Sequence, residues 1–203
     1  MTLLRAFIAI QIPADIQDAI QEQTSDLRRA LGASLIRWVP IQNIHLTLKF
    51  LGDTSPANIE LLTQMLAQEA DQYPPFDIRV SGIGSFPTSR RPRVIWVGLQ
   101  APAVLASLQH GIESASARLG YAPEDRAFSP HLTIGRVKQN VSQAEMLKIR
   151  SALEGAKVGD LGSARIDSVH LYKSDLQPGG SVYTRLFSAR LNGVAANQSV
   201  KTA

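Results

Sequence analysis

Cysteine is absent from the 203 residues. That removes a disulfide scaffold, a thiolate metal site and a cysteine nucleophile together, and it fits a reducing compartment, so a cytoplasmic location is expected. Long apolar runs are also missing. Nothing approaches the roughly 20 residues that span a bilayer, and no membrane partner is expected. The opening stretch, Met1 to Pro13, is apolar but short, is broken by Arg5 and Gln11, and lacks a small-residue cleavage site. It reads as a strand of the mature protein rather than a signal peptide. Low-complexity segments and an evident linker are lacking too. Histidine is scarce, with four in the chain.

What is present is ordinary for a globular chain: 44% hydrophobic and 19% charged residues, close to average usage. The length allows one or two domains. A single bilobal domain over residues 1–191 is expected, with a polar tail over 192–203 that frays. Basic residues number 21 against 17 acidic, giving a net charge of +4 and a pI near 9.6. This permits an anionic partner such as nucleic acid or a phosphate ester without deciding for one.

Short strand patterns alternate with helical ones. Strands are predicted at Ala6–Ile12, His45–Leu51, Phe76–Ile83, Arg93–Leu99, His131–Val137, Ala164–Tyr172 and Val182–Arg190, each dense in β-branched or aromatic residues. Ile16, Ala19, Ile20, Leu27 and Leu31 fall on one helical stripe, and Val104, Leu105, Leu108, Ile112, Ala115 and Leu119 on another. Ser55-Pro56 reads as an N-cap followed by proline at the first position of a helix through Ile59, Leu62, Met65 and Leu66. Ser142 and Glu145 form a capping-box pattern at the head of the last helix.

The chain also repeats itself. Phe7-Ile-Ala-Ile-Gln-Ile-Pro13 leads through a helix to His45-Leu-Thr, and Val94-Ile-Trp-Val-Gly-Leu-Gln-Ala-Pro102 leads through a helix to His131-Leu-Thr. The prolines lie 89 apart and the histidines 86 apart. A duplicated strand–helix–strand–helix unit is expected. The expected fold is α+β, two lobes related by a pseudo-two-fold axis, with antiparallel sheets lining a central cleft and the equivalent strands facing each other across it.

Alternation along a strand places His45, Thr47 and Lys49 on one face, with Leu46, Leu48 and Phe50 on the other. In the second motif it groups His131 with Thr133. Two such faces turned into one cleft bring two imidazoles and two hydroxyls around a single small anion. In-line displacement at a phosphodiester needs that set. A neutral imidazole takes a proton from the attacking oxygen, and a protonated one gives a proton to the leaving oxygen. The threonine hydroxyls hold the non-bridging oxygens. Two other readings compete. One is a metallohydrolase built on His45, His131 and His170, for which neither motif has a nearby acidic or histidine companion at metal-ligand spacing. The other is an RNA-binding module without turnover, which would have no use for paired proton carriers. His110 falls in a helical pattern and is expected at the surface.

The paired His-Leu-Thr motifs, with Trp38-Val-Pro before the first and Phe128-Ser-Pro before His131, resemble the two-histidine phosphoesterase superfamily. Ile83-Gly-Ser-Phe-Pro87, Arg91-Pro-Arg-Val-Ile-Trp96 and Leu171-Tyr-Lys-Ser-Asp-Leu-Gln-Pro-Gly179 resemble its bacterial RNA 2′,3′-cyclic phosphodiesterases, also called 2′-5′ RNA ligases. The resemblance spans about Arg5 to Phe187. It implies hydrolysis of a terminal 2′,3′-cyclic phosphate to a 2′-phosphate without metal or other cofactor, and a reversible 2′-5′ joining of RNA ends. The implied partners are RNA ends or small cyclic-phosphate nucleotides, and a monomer is the default. It further implies that His45 donates the proton to the departing 3′ oxygen and His131 activates water, with Thr47 and Thr133 beside them. Lys49, Arg93, Phe128 and Arg136 are the candidates for contacting substrate. Arg136 closes the second motif but sits five positions from His131, on the wrong face by strict alternation; a bulge near Gly135 would re-aim it. Trp96 and Phe50 are expected in the core.

Overall fold

The structure is a computed structural model and describes residues 3–177 and 180–193. Among the described residues, five α-helices, one short 3-10 helix at Ile41–Asn43 and nine strands follow one another. Leu4–Gln11 is β1, Ala14–Gln23 α1, Ser25–Leu35 α2, Ile36–Trp38 β2, His45–Thr54 β3, Asn58–Ala70 α3 and Phe76–Thr88 β4. Arg91–Gln100 is β5, Ala103–Arg118 α4, His131–Val137 β6, Gln143–Gly155 α5, Asp160–Ile166 β7, Ser168–Gln177 β8 and Gly180–Arg190 β9.

Strand pairing joins everything into one antiparallel sheet ordered β7-β4-β5-β6-β3-β1-β8-β9, with β2 paired to β6. The duplicated units occupy the two halves, β3 and β1 in one and β6 and β5 in the other. The two histidine strands therefore run side by side at the seam instead of confronting each other. Only one Cα pair, Leu46 with Leu132, joins them. Beyond it β3 leaves, and β2 takes its place against β6, pairing Ile36 with Val137, Arg37 with Arg136 and Trp38 with Gly135.

Connectivity forces this sheet to curl. β7 and β8 lie six places apart in the order, about 29 Å if the sheet were flat. Yet only Asp167 separates them, so Ile166 and Ser168 lie at most about 7.6 Å apart at Cα. The edges must wrap toward each other, giving the sheet a concave face. The helices take the other face, where Ile8, Ile10, Leu46, Leu48, Leu132 and Ile134 join the hydrophobic core.

Several boundaries differ from the sequence reading. The predicted strand Ala164–Tyr172 is two strands broken at Asp167, whose carbonyl accepts from Leu191 N (2.8 Å) and whose carboxylate accepts from Ser168 Oγ (2.8 Å). The single stripe from Ile16 to Leu31 is two helices. Thr24 Oγ1 donates to the Ile20 carbonyl at 2.7 Å, so the side chain competes for a helix acceptor at the break. Ser55 is not the cap of α3; that helix starts at Asn58, and Ser55 Oγ accepts from Ala57 N instead. The Ser142–Glu145 capping box is present in full. Asn192 and Gly193, expected to begin a fraying tail, are tied to Asp71 Oδ1 and the Tyr73 carbonyl; residues 194–203 lie outside the described residues. No described helix is long and apolar enough to cross a membrane.

Candidate active site

Both histidines open their strands at the seam, half-buried on the concave face. Counted outward from Leu46–Leu132, His45 comes level with Thr133 and Thr47 with His131. The four side chains are thus related crosswise by the pseudo-two-fold axis. Leu46 and Leu132, between them, point to the core and fix which way the flanking side chains face.

Each ring is held the same way. His45 Nδ1 lies 2.7 Å from the Asn43 carbonyl, and His131 Nδ1 lies 2.7 Å from the Ser129 carbonyl. A carbonyl only accepts, so Nδ1 carries the proton in both rings and Nε2 is left to exchange protons in the cleft. Asn43 is itself tethered, its side-chain amide donating to Ser181 O at 2.8 Å. Burial lowers the His45 pKa below its ordinary value, the hydrogen bond to Asn43 opposes that, and the charges of Arg136 and His131 lower it further. That coupling places Arg136 and His131 within electrostatic reach of the His45 ring.

Lys49 does not share the face of His45. In the register, Ile8 pairs with Lys49 and Ala9 with Thr47, so Leu48 is an extra residue and alternation resets after it. Lys49 turns inward, 4% exposed, and donates to Glu113 and to the Ala122 carbonyl. Phe50, expected in the core, turns outward and is 63% exposed. It stands in a cluster on the concave face in which Phe7 packs 4.9 Å from His45, 5.2 Å from Tyr172, 5.0 Å from Tyr183 and 6.3 Å from Phe50. Tyr183 meets His45 edge-on at 5.3 Å.

The second motif is bulged at the matching place. Ile95 pairs with Gly135 but Trp96 with Thr133, leaving Ile134 extra. Ile134 and Gly135 are both buried, and Arg136 is exposed. A Cβ on Gly135 would lie 2.8 Å from Ile36 Cγ2 and 2.9 Å from Trp38 Cε3, so the second strand carries glycine where the first has Lys49. Trp96 is half-buried, against Phe86 at 5.3 Å and so close over Gly84 that a Cβ there would lie 2.3 Å from its ring. Phe86 also meets the His131 ring edge-on at 4.9 Å. Phe128, a candidate for substrate contact, is half-buried in the loop before His131, one side packed against the core.

His170 lies two strands over from Thr47, both pairing with Ala9 of β1, and is buried in β8 with Nδ1 2.9 Å from Ser188 Oγ. Among the described residues no three His, Asp or Glu side chains are arranged to hold a metal ion. His110 is exposed on α4.

A family model described as LigT like Phosphoesterase matches twice, over residues 10–96 and 97–183, one match for each repeat. The chain belongs to the LigT-like phosphoesterase family. A Methanothermobacter thermautotrophicus protein named RNA 2′,3′-cyclic phosphodiesterase is 31% identical over 188 residues, covering 93% of this chain and 99% of its own. One of the same name from Methanocaldococcus jannaschii is 33% identical over 181 residues, covering 89% and 96%. A solved structure from Thermus thermophilus superposes with a TM-score of 0.77 at 26% identity, over 93% of this chain and 98% of that one. E. coli LigT in apo form gives 0.72 at 28% identity, over 94% and 99%; it has also been crystallised with phosphate and with 3′-AMP.

Proposed function

We propose that this LigT-like phosphoesterase is an RNA 2′,3′-cyclic phosphodiesterase that opens a terminal cyclic phosphate to a 2′-phosphomonoester. The observation that carries the reading is the matched pair of rings, each with Nδ1 on a carbonyl and, among the described residues, no hydrogen bond at Nε2. Neutral His131 Nε2 takes a proton from water as its oxygen attacks phosphorus. The bond from phosphorus to the 3′ oxygen breaks, and the His45 imidazolium gives its Nε2 proton to that oxygen. Thr47 and Thr133 hydroxyls donate to the non-bridging oxygens, where charge builds. Arg136 faces the same anion. The relatives' printed names support the reaction, and the crystallisation of E. coli LigT with phosphate supports an anionic ligand. In this reading the substrate is an RNA end or a small cyclic-phosphate nucleotide. The protein acts as a cytoplasmic monomer without a cofactor, and 2′-5′ joining is the same ring-opening step with an RNA 5′-hydroxyl in place of water as the nucleophile; cleavage of the 2′-5′ linkage is its reverse.

The depressed His45 pKa agrees with the acid role. A weaker base makes a stronger conjugate acid toward an alkoxide leaving group, at the cost of a smaller protonated fraction near neutral pH. A bound phosphate anion offsets Arg136 and raises that fraction when substrate is present. The test is incubation with an oligonucleotide ending in a 2′,3′-cyclic phosphate, in chelator, across pH. A 2′-phosphate product and a bell-shaped kcat/KM whose limbs belong to the coupled pair are expected; no turnover, or a rate flat from about pH 5 to 9, overturns the reading. In an NMR titration the His45 midpoint is expected below 6.5, the ordinary value, in the free protein. It should move up on adding phosphate and in Arg136→Gln. An unmoved midpoint removes Arg136 from the site.

A further inference from the structure

Arg136 also lines an open groove of about 1060 Å³ that reaches the end of α2 at Ser34 and Leu35 and the start of α5 at Glu145. Arg37, Arg93, Arg136 and Lys138 line it, from three adjacent strands and the residue that follows β6. Arg37 is directly paired with Arg136 across β2 and β6. Like charges directly opposite on a sheet repel, and among the described residues none of these four cations forms an ion pair. The one carboxylate on the groove, Glu145, is already bonded to Ser142 in the capping box. The free protein therefore maintains an uncompensated cationic strip that a polyanion would relieve.

We infer that this groove is a track for the phosphates of an RNA chain, so that the preferred substrate is an oligonucleotide bearing the cyclic end and not a cyclic mononucleotide. The inference rests on the phosphodiesterase reading above. Its support is continuity. Arg136 acts electrostatically on His45 and also lines the groove, so one side chain links the reaction centre to the strip. From His131 to Lys138 the strand runs about 23 Å at about 3.3 Å per residue, a length over which one end-bound nucleotide leaves most of the cations unused. A chain of a few nucleotides engages them.

The test compares wild type with Arg37→Ala/Lys138→Ala, both exposed positions outside the catalytic set. Two substrates are used, a 2′,3′-cyclic mononucleotide and a ten-nucleotide RNA with a 2′,3′-cyclic end. Binding of a labelled RNA decamer ending in a 2′-phosphate is followed by fluorescence anisotropy. The double variant is expected to lose about tenfold in kcat/KM on the oligonucleotide at low salt and to stay within about twofold on the mononucleotide. Its binding should fall less steeply with salt, by about 1.4 in the log–log slope, for two fewer single-strand phosphate contacts. Equal losses on both substrates, no loss on either, or an unchanged salt slope overturns the track. Polyglutamate competing as well as RNA of equal charge also overturns it, in favour of an acidic protein partner. If wild type turns over neither substrate, the phosphodiesterase reading fails, and the anisotropy series still decides whether the groove holds RNA.

Discussion

His45→Ala and His131→Ala are each expected to lower kcat on a cyclic-phosphate oligonucleotide by about 10²–10⁴-fold, the range a positioned general acid or base supplies. The effect should fall on kcat more than on KM, because each ring works only while a proton is moving. The double variant should lose far less than the product of the two losses. With one proton carrier gone, the other has no concerted partner, and groups that act as a unit are not additive. Substrates can separate the roles. An activated leaving group that needs no proton should restore most of the rate to His45→Ala and little to His131→Ala. Rescue of both variants alike would contradict the assignment of His45 as the acid, and full activity in either single variant would remove that ring from the chemistry. Both variants should fold, since each ring is half-buried and its one protein hydrogen bond goes to a local carbonyl.

The repeat, the α+β class and the pairing of His45 with His131 were legible because they rest on short-range periodicity. Apolar residues at every second position of His45-Leu-Thr-Leu and His131-Leu-Thr-Ile state which face is core, and the face sets the direction of the imidazoles. What alternation could not state is where it resets. Lys49 and Phe50 exchanged their expected faces because Leu48 bulges, and that bulge is decided by how β1 pairs with β3. The same event at Ile134 turns Arg136 toward the cleft; there Gly135, between apolar residues and an arginine, was a visible hint. The long-range members of the site left no local signal. Tyr183 and Phe86 reach His45 and His131 from β9 and β4, and Arg37 lies opposite Arg136 only because β2 replaces β3 against β6. The single sheet, in place of two facing ones, likewise depends on the Leu46–Leu132 contact between residues 86 apart.

The misplaced Lys49 leads to the second large effect, which is on stability. Its ammonium is buried between Glu113 of α4 and the Ala122 carbonyl, and Glu113 also accepts from Glu124 N at 3.0 Å. The pair thus bolts the first half's histidine strand to the second half's helix and to the loop that runs on to Ser129 and His131. Removing one partner strands a buried charge. Glu113→Ala is therefore expected to cost about 3–5 kcal/mol in unfolding free energy, read as a fall in the denaturant midpoint without a change in slope. Lys49→Met combined with Glu113→Leu should recover most of that loss, because well-packed apolar side chains often match or exceed a buried ion pair. Stability and activity should then part company. The repaired double variant still lacks the ties to the Ala122 carbonyl and to Glu124 N, so the loop carrying the Ser129 carbonyl is freed at its base, and kcat should stay below wild type while the midpoint returns. A double variant that regains full activity along with its stability would mean that the ion pair serves the fold alone. One with both still depressed would show that the bulge at Leu48 cannot form without the charge pair.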